Sequence, residues 1–148
     1  MKAKQRIKNI IITICCLIVL LFKTSIIVNA AYGDKISLGR GIATANTRYE
    51  RKVNNSSVFA HCISVEQTSS SSMASCKGIV QGSKTDDGSS AAIPGQSLTY
   101  RFENGSKHYM INSVYEDNLH YARIHFRGDK YSDYTIFTLD WGPMATYP

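Results

Sequence analysis

The sequence lacks the usual signatures of a catalytic or metal centre. It has no Gly-x-Ser-x-Gly nucleophile elbow, and its acidic pairs at residues 86–87 and 116–117 lie in turn-like contexts. His120 and His125 are five residues apart on one predicted strand, so they point to opposite faces and do not chelate one ion. We therefore predict no enzyme activity, no cofactor and no metal site. Clustered carboxylates at residues 86–89 and 129–133 leave calcium binding as an open question.

Long hydrophobic runs are also missing, apart from one short segment at residues 10–22. Four basic residues precede it, Lys23 ends it, and Val28-Asn29-Ala30 follows. These are the three parts of a secretory signal, and the run is shorter than the roughly 20 residues that span a membrane. The sequence predicts a signal peptide helix over residues 1–30 and cleavage between Ala30 and Ala31. The product is expected to be secreted or cell-surface associated, without stable membrane insertion.

Excess charge is small once the predicted signal is set aside. The whole chain has a formal net charge of +6, but residues 31–148 hold 12 of the 17 basic residues and all 11 acidic ones, a net charge of +1. Nucleic-acid-binding domains usually carry a strong basic excess, because they neutralise phosphates. We therefore do not expect nucleic acid as a partner.

Cysteine is scarce, with only Cys62 and Cys76 beyond residue 30. Two thiols fall short of the four ligands of a structural zinc site, whereas an even pair outside the cell usually forms a disulfide. We predict that these two cysteines are bonded. Predicted strands at residues 58–65 and 73–80, joined by a short polar loop, place them directly opposite each other in an antiparallel pair.

Helical periodicity and internal repeats are absent beyond residue 30. Apolar and polar residues alternate instead between turn residues, and Thr, Tyr, Val and Ile are frequent. After a loose, glycine-containing start, six or seven short strands are expected. The predicted fold is all-β, a small antiparallel β-sandwich with a small β-barrel as the alternative, in a single domain over residues 31–148. Further strands are predicted at residues 42–53, 98–102, 107–115, 119–127 and 134–141.

Turn residues predict two hairpins in the second half of the chain. Asn104-Gly105 suits a type I′ turn, so the strands on either side of it are expected to pair. In the last hairpin Arg127 is expected opposite Tyr134, because that register gives one coherently apolar face. The residues of that apolar face are Ala122, Ile124, Phe126, Phe137, Leu139 and Trp141.

The polar face of the last hairpin is the candidate binding surface. On a sheet face, cationic side chains bind anionic polymers, and the aromatic rings between them stack on sugar or base rings. An ordinary solvated face, with charge diluted by Asp140, is the alternative reading. The residues predicted to form the binding face are Tyr121, Arg123, His125, Arg127 and Tyr134.

Two segments resemble a family of small secreted proteins from Gram-positive bacteria whose role is unknown. The first is Arg48-Tyr49-Glu50-Arg51 with Asn54-Asn55 after it. The second is a strand with Tyr121, a Gly/Asp/Ser loop and residues 134–141 followed by Gly142-Pro143. The cysteine pair and the long Ser-rich loops depart from the family pattern. The resemblance implies a β-sandwich and carries over no activity or functional residue.

These features predict a small secreted binding or interaction module that acts at the cell envelope or outside the cell. Its expected partner is an envelope polymer or an extracellular protein. A bacteriocin-like or toxin-like antagonist of other cells is the alternative, and a secreted hydrolase is the third hypothesis. The sequence does not indicate the ligand or the oligomeric state.

Overall fold

Nine β-strands make up the regular secondary structure of residues 31–144, which the computed structural model describes. The predicted signal peptide, including Ala30, lies outside the described residues. No helix that is long and apolar enough to cross a membrane occurs within residues 31–144. The strands are β1 (Ala31–Leu38), β2 (Thr44–Asn46), β3 (Glu50–Arg51), β4 (Val58–Gln67), β5 (Ser75–Ser83), β6 (Thr99–Glu103), β7 (Lys107–Met110), β8 (Tyr121–Arg127) and β9 (Thr135–Gly142).

The strands form two antiparallel sheets that pack against each other. Sheet 1 has the order β1-β9-β4-β7, and sheet 2 has the order β2-β8-β5-β6, with β3 paired to the other end of β8. The prediction of an all-β sandwich is therefore confirmed, and the described strands do not close into a barrel. Because sequential strands repeatedly change sheet, most pairings join strands that are distant in the sequence.

Alternation along the strands builds the core between the sheets. On β8 and on β9, buried residues alternate with half-buried or exposed ones. The side chains assigned to the apolar face from sequence are all fully buried: Ala122, Ile124 and Phe126 on β8, and Phe137, Leu139 and Trp141 on β9. Phe126 meets Phe102 of β6 edge to face, with ring centroids 5.0 Å apart.

All three predicted hairpins are wrong in the same way, because the two strands of each lie in different sheets. β4 pairs with β7 and β9, whereas β5 pairs with β6 and β8. β6 and β7 are likewise split between the sheets, as are β8 and β9. An alternating strand buries its apolar face equally well beside a hairpin partner or across a sandwich, so the pattern does not distinguish the two arrangements.

A turn is present at Asn104-Gly105, but it is not the predicted type I′ turn, because of its two central residues only Gly105 has a positive φ. It also makes a different connection. The Ser106 amide donates to the Glu103 carbonyl at 3.0 Å, and Gly105 has a φ of 76°. Instead of closing a hairpin, the turn carries the chain from sheet 2 to sheet 1. There it docks on β4 through two 2.8 Å hydrogen bonds, from Cys62 N to Ser106 O and from Gly105 N to Cys62 O.

The start of the described chain is more regular than the sequence suggested. The expected loose segment is an eight-residue strand, β1, which pairs with β9. A register shift between Tyr32 and Asp34, at Gly33, accommodates the glycine as a bulge. The single strand predicted over residues 42–53 is instead two short strands, β2 and β3, both paired with β8.

The two cysteines lie on opposite sheets and are free thiols in the structure. The pairing predicted to bring them face to face is wrong, since Cys62 lies opposite Leu139 and Cys76 lies opposite Phe102. Both side chains are nevertheless buried in the shared core. The disulfide between them stays a prediction.

Candidate functional site

The outward face of sheet 2 carries four of the five residues predicted for the binding surface. Residues 121, 123, 125 and 127 alternate on β8 with the three buried apolar side chains, so they all point away from the core. The outward-facing set is Tyr121, Arg123, His125 and Arg127.

Tyr134, the fifth predicted residue, lies elsewhere. It directly precedes β9 of sheet 1, and β9 does not pair with β8. Its ring lies under the guanidinium of Arg40, 5.5 Å from the ring centroid, and its carbonyl accepts hydrogen bonds from Thr68 and Ser72. The assignment was wrong because it depended on the β8–β9 hairpin.

A row of three cations crosses sheet 2 at one end of the candidate surface. Lys77 on β5 is the register partner both of Arg101 on β6 and of Arg127 on β8. All three residues are exposed. Neighbouring strands lie about 4.8 Å apart, so three positive side chains stand side by side across roughly 10 Å. We call Lys77, Arg101, Arg123, His125 and Arg127 together the basic face.

Lys77 and Arg101 were missed at the sequence level, although a signal for them existed. Alternation between Ser75 and Gln81 already places Lys77 on the polar side of its strand. What was missing was the pairing partner, because residues 73–80 were matched to the wrong strand. Once β5 is paired with β6 and β8, its register sets Lys77 between the two arginines.

Each arginine of the basic face is held by its Nε atom. Arg101 Nε lies 3.4 Å from a carboxylate oxygen of Glu103, Arg123 Nε donates to Gln81 Oε1 at 3.0 Å, and Arg127 Nε donates to His125 Nε2 at 3.4 Å. The terminal nitrogens of these guanidinium groups form no hydrogen bond with any residue of the described range 31–144. They are donors that a ligand can use.

His125 links the arginines of β8 to β2. Its Nδ1 lies 2.8 Å from Asn46 Oδ1, and its Nε2 accepts from Arg127. An acceptor at Nε2 and a donor at Nδ1 describe the neutral ring. Burial lowers the pKa of His125, and the charges of Arg127 and Arg123 lower it further, so the ring is uncharged at neutral pH.

Two adjoining depressions flank the cation row. One, of about 440 Å³, is lined by Lys77, Arg101 and Arg127 together with Ser75, Cys76, Gly128 and Asp129. The other, of about 370 Å³, is lined by Lys77, Arg127, His125, Gly78, Ile79, Ile93 and Thr99. Lys77 and Arg127 line both depressions, whereas Arg101 lines only the first.

Arg123 stacks on the aromatic ring of Tyr49. The Arg123 guanidinium lies 4.5 Å from the centroid of Tyr49, and the ring also contacts Gly88 so closely that an added Cβ would lie 2.3 Å from Tyr49 Cε2. Burial raises the pKa of Tyr49, and its hydroxyl finds no hydrogen-bond partner within residues 31–144. A cation stacked on a ring keeps its edges free to donate.

The carboxylates considered for calcium are engaged by neighbouring groups. Asp87 accepts from the Thr85 hydroxyl and the Ser89 amide, and these hydrogen bonds lower its pKa. Asp133 accepts from the Ser69 hydroxyl at 2.6 Å and pairs with Arg40, which likewise lowers its pKa. In the part of the chain that the structure describes, no three His, Cys, Asp or Glu side chains are placed to hold a metal ion.

Comparison with known proteins identifies a family by sequence. A family model described as "Protein of unknown function (DUF2712)" matches residues 27–143, which is most of the chain. No curated protein and no solved structure matches this chain. The family description names neither a compartment nor an organism, so the expected Gram-positive, secreted origin stays a prediction. The chain belongs to the DUF2712 family.

Proposed function

We propose that the protein is a small secreted binding module that acts at the cell envelope or outside the cell. Its basic face binds an anionic polymer. The observation that carries this proposal is the sorting of charge on sheet 2. Among the outward residues of its strands, five are cationic and one, Glu103, is anionic, although residues 31–148 have a net charge of only +1. The five cations are Arg51, Lys77, Arg101, Arg123 and Arg127.

The extent of the basic face favours a polymer over a small anion. From Arg101 to Arg127 the cations span roughly 10 Å across the strands, and from Arg127 to Arg123 about 13 Å along β8. A single small anion contacts only part of such a surface, whereas a chain of repeated negative charges engages all of it. The free terminal nitrogens of the arginines supply the donors for these contacts.

The chemistry of the basic face favours binding over catalysis. Arginine and lysine hold and orient anions, but hydrolysis also requires a group that moves a proton or attacks the substrate. His125 is the imidazole of the face, and both of its ring nitrogens are already engaged by Asn46 and Arg127. We therefore place binding ahead of a hydrolase.

Export and a Cys62–Cys76 disulfide complete the proposal. Export rests on the predicted signal over residues 1–30. The disulfide is supported by the position of both cysteines beside the same turn. Cys62 is hydrogen bonded to the 103–106 turn, and Cys76 pairs with Phe102, one residue before that turn. Burial raises the pKa of Cys76 to about 12, and the nearby Cys62 contributes to the rise through its charge. A bond between them would link the two sheets through the core.

The disulfide is tested by mass spectrometry of the unreduced secreted protein. Oxidation breaks both S–H bonds, forms one S–S bond, and passes two electrons and two protons to a thiol–disulfide oxidant outside the cell. The mass should therefore be about two units below that of the dithiol. Quantitative alkylation of both cysteines in denaturant without reductant would show them free and remove the disulfide from the proposal.

Polymer binding is tested by co-sedimentation of the secreted protein with insoluble anionic and neutral polysaccharides. Binding to the anionic polymer should weaken as salt rises, because exposed charges are screened over about 8 Å at physiological ionic strength. The double variant Arg123→Ala/Arg127→Ala should bind much less. Lys35→Ala/Lys107→Ala is the matched control, since it removes two exposed cations from sheet 1. Equal loss in both variants, or binding that is independent of salt, contradicts the proposal.

A further inference from the structure

We propose that the depression beside the cation row seats one phosphodiester group, so that the anionic polymer is a chain linked by phosphodiesters. This inference rests on the proposed function and names the chemical class of its ligand. The seat is the 440 Å³ depression, whose cationic lining residues, Lys77, Arg101 and Arg127, come from three adjacent strands.

The number of donors around the seat fits a tetrahedral oxyanion. A planar carboxylate is satisfied by the fork of a single guanidinium, through two parallel hydrogen bonds. Here two guanidinium groups and an ammonium group flank the same depression, and their Cα atoms belong to three neighbouring strands. Several independent donors are better used by a phosphate, which presents acceptor oxygens in different directions.

The charge of the seat fits a monoanion. Its three cations face two carboxylates: Glu103, which pairs with Arg101, and Asp129, which lines the depression and accepts from the Tyr131 amide. The local sum is one positive charge, which a single phosphodiester neutralises. A phosphate monoester, which carries close to two negative charges at neutral pH, would leave an excess of negative charge next to both carboxylates.

Neighbouring groups complete the seat without blocking it. Ser75 lines the depression on β5, and its hydroxyl makes no hydrogen bond to any residue within 31–144, so it is a further donor. His125 holds the Nε of Arg127, which fixes the guanidinium while leaving its terminal nitrogens available. Arg123, about 13 Å along the same strand, is placed to meet a later charge of the same chain.

The test compares two oligomers of equal charge number at equal salt: a synthetic oligo(propanediol phosphate) and an oligogalacturonate. We expect the secreted protein to bind the phosphodiester oligomer more tightly, by about tenfold, because the phosphodiester uses charge-assisted donors of the seat that the carboxylate leaves unused. Lys77→Gln should abolish this preference. Arg51→Gln, which removes an outward cation beside Tyr121 that does not line the depression, should lower affinity for both oligomers alike.

Further arms separate the possible outcomes. Arg127→Gln is a second variant of the seat, and the melting temperature of each variant shows that it folds. Equal affinity for the two oligomers overturns the phosphodiester seat but leaves the proposed function standing, whereas binding to neither overturns both. Binding only to inorganic phosphate, or only to vesicles containing phosphatidylglycerol, overturns the assignment to a polymer.

Discussion

A buried lysine ties together two segments that meet at one end of the sandwich. Lys52 is 1% exposed, and its ammonium group donates to the carbonyls of Ser56 and of Pro143, the latter at 2.8 Å. Burial lowers the pKa of Lys52 to about 8, and the negative charge of Glu116 opposes this shift. The residue therefore fixes the chain after β3 to the end of β9, while its charge has a cost in stability.

That cost predicts a pH dependence of stability specific to Lys52. Between the folded pKa near 8 and the ordinary value of 10.5, the unfolded state binds more protons at this residue, so the free energy of unfolding rises with pH. Lys52→Met removes the effect, whereas the other titrating groups remain in both proteins. Urea unfolding at pH 8 and pH 10 should show the wild type gaining stability relative to the variant. A difference that does not change with pH contradicts the shifted pKa.

Trp141 is the largest side chain that is fully buried in the described core. Its indole Nε1 donates to Asp34 Oδ2 at 2.8 Å, which also ties β9 to β1. Trp141→Ala should lower the free energy of unfolding by about 3–5 kcal/mol, because it empties a large core site. Tyr131→Ala is the control, since Tyr131 is 85% exposed and its loss should matter by less than about 0.5 kcal/mol. Similar effects of the two changes on urea unfolding would show that the core is wrongly assigned.

At the scale of the elements, the sequence specifies which face of each strand is buried but not which strand lies beside it. The inward residues of β8 and β9 were predicted correctly, and so was the position of the turn at Asn104-Gly105, although its type I′ geometry was not. The pairing partners of the strands were predicted wrongly. Short turns favour hairpins, but in this fold the strands on either side of each turn pack against each other across the core instead of pairing. The same limit applies to the site: Arg123 and Arg127 followed from alternation, whereas Lys77 entered only with the observed pairing.

Gly78 gives a direct test of the pairing in sheet 2. In the observed sheet, a Cβ at this position would lie 2.6 Å from Phe102 Cε2 and 3.1 Å from Phe126 Cε1. Gly78→Ala should therefore destabilise the protein by about 1–3 kcal/mol through overpacking. At Gly95 the nearest atoms to an added Cβ are 3.8 Å away, so Gly95→Ala is the matched control and should change stability little. A neutral Gly78→Ala variant would mean that β5 does not lie between β6 and β8.

At the scale of the whole molecule, the described β-sandwich places the apolar core and the proposed binding surface on opposite faces of sheet 2. The inner faces of both sheets form one apolar core, and the outer face of sheet 2 collects cations that the net charge does not reveal. Because strands from distant parts of the sequence alternate in sheet 2, residues 77, 101 and 127 become neighbours only in the folded protein. Unfolding the sandwich should therefore abolish polymer binding even though every charge remains.

The central claim, that an anionic polymer binds on the outward face of sheet 2, is tested most directly by NMR titration of the isotope-labelled secreted protein. Signals are followed from backbone amides and arginine Nε–H groups as the polymer is added. The account predicts that the largest shifts occur at Lys77, Arg101 and Arg127 and disappear at high salt, because screening removes the attraction. Largest shifts on β1 and β9 of sheet 1, or no shifts at saturating polymer, would contradict it.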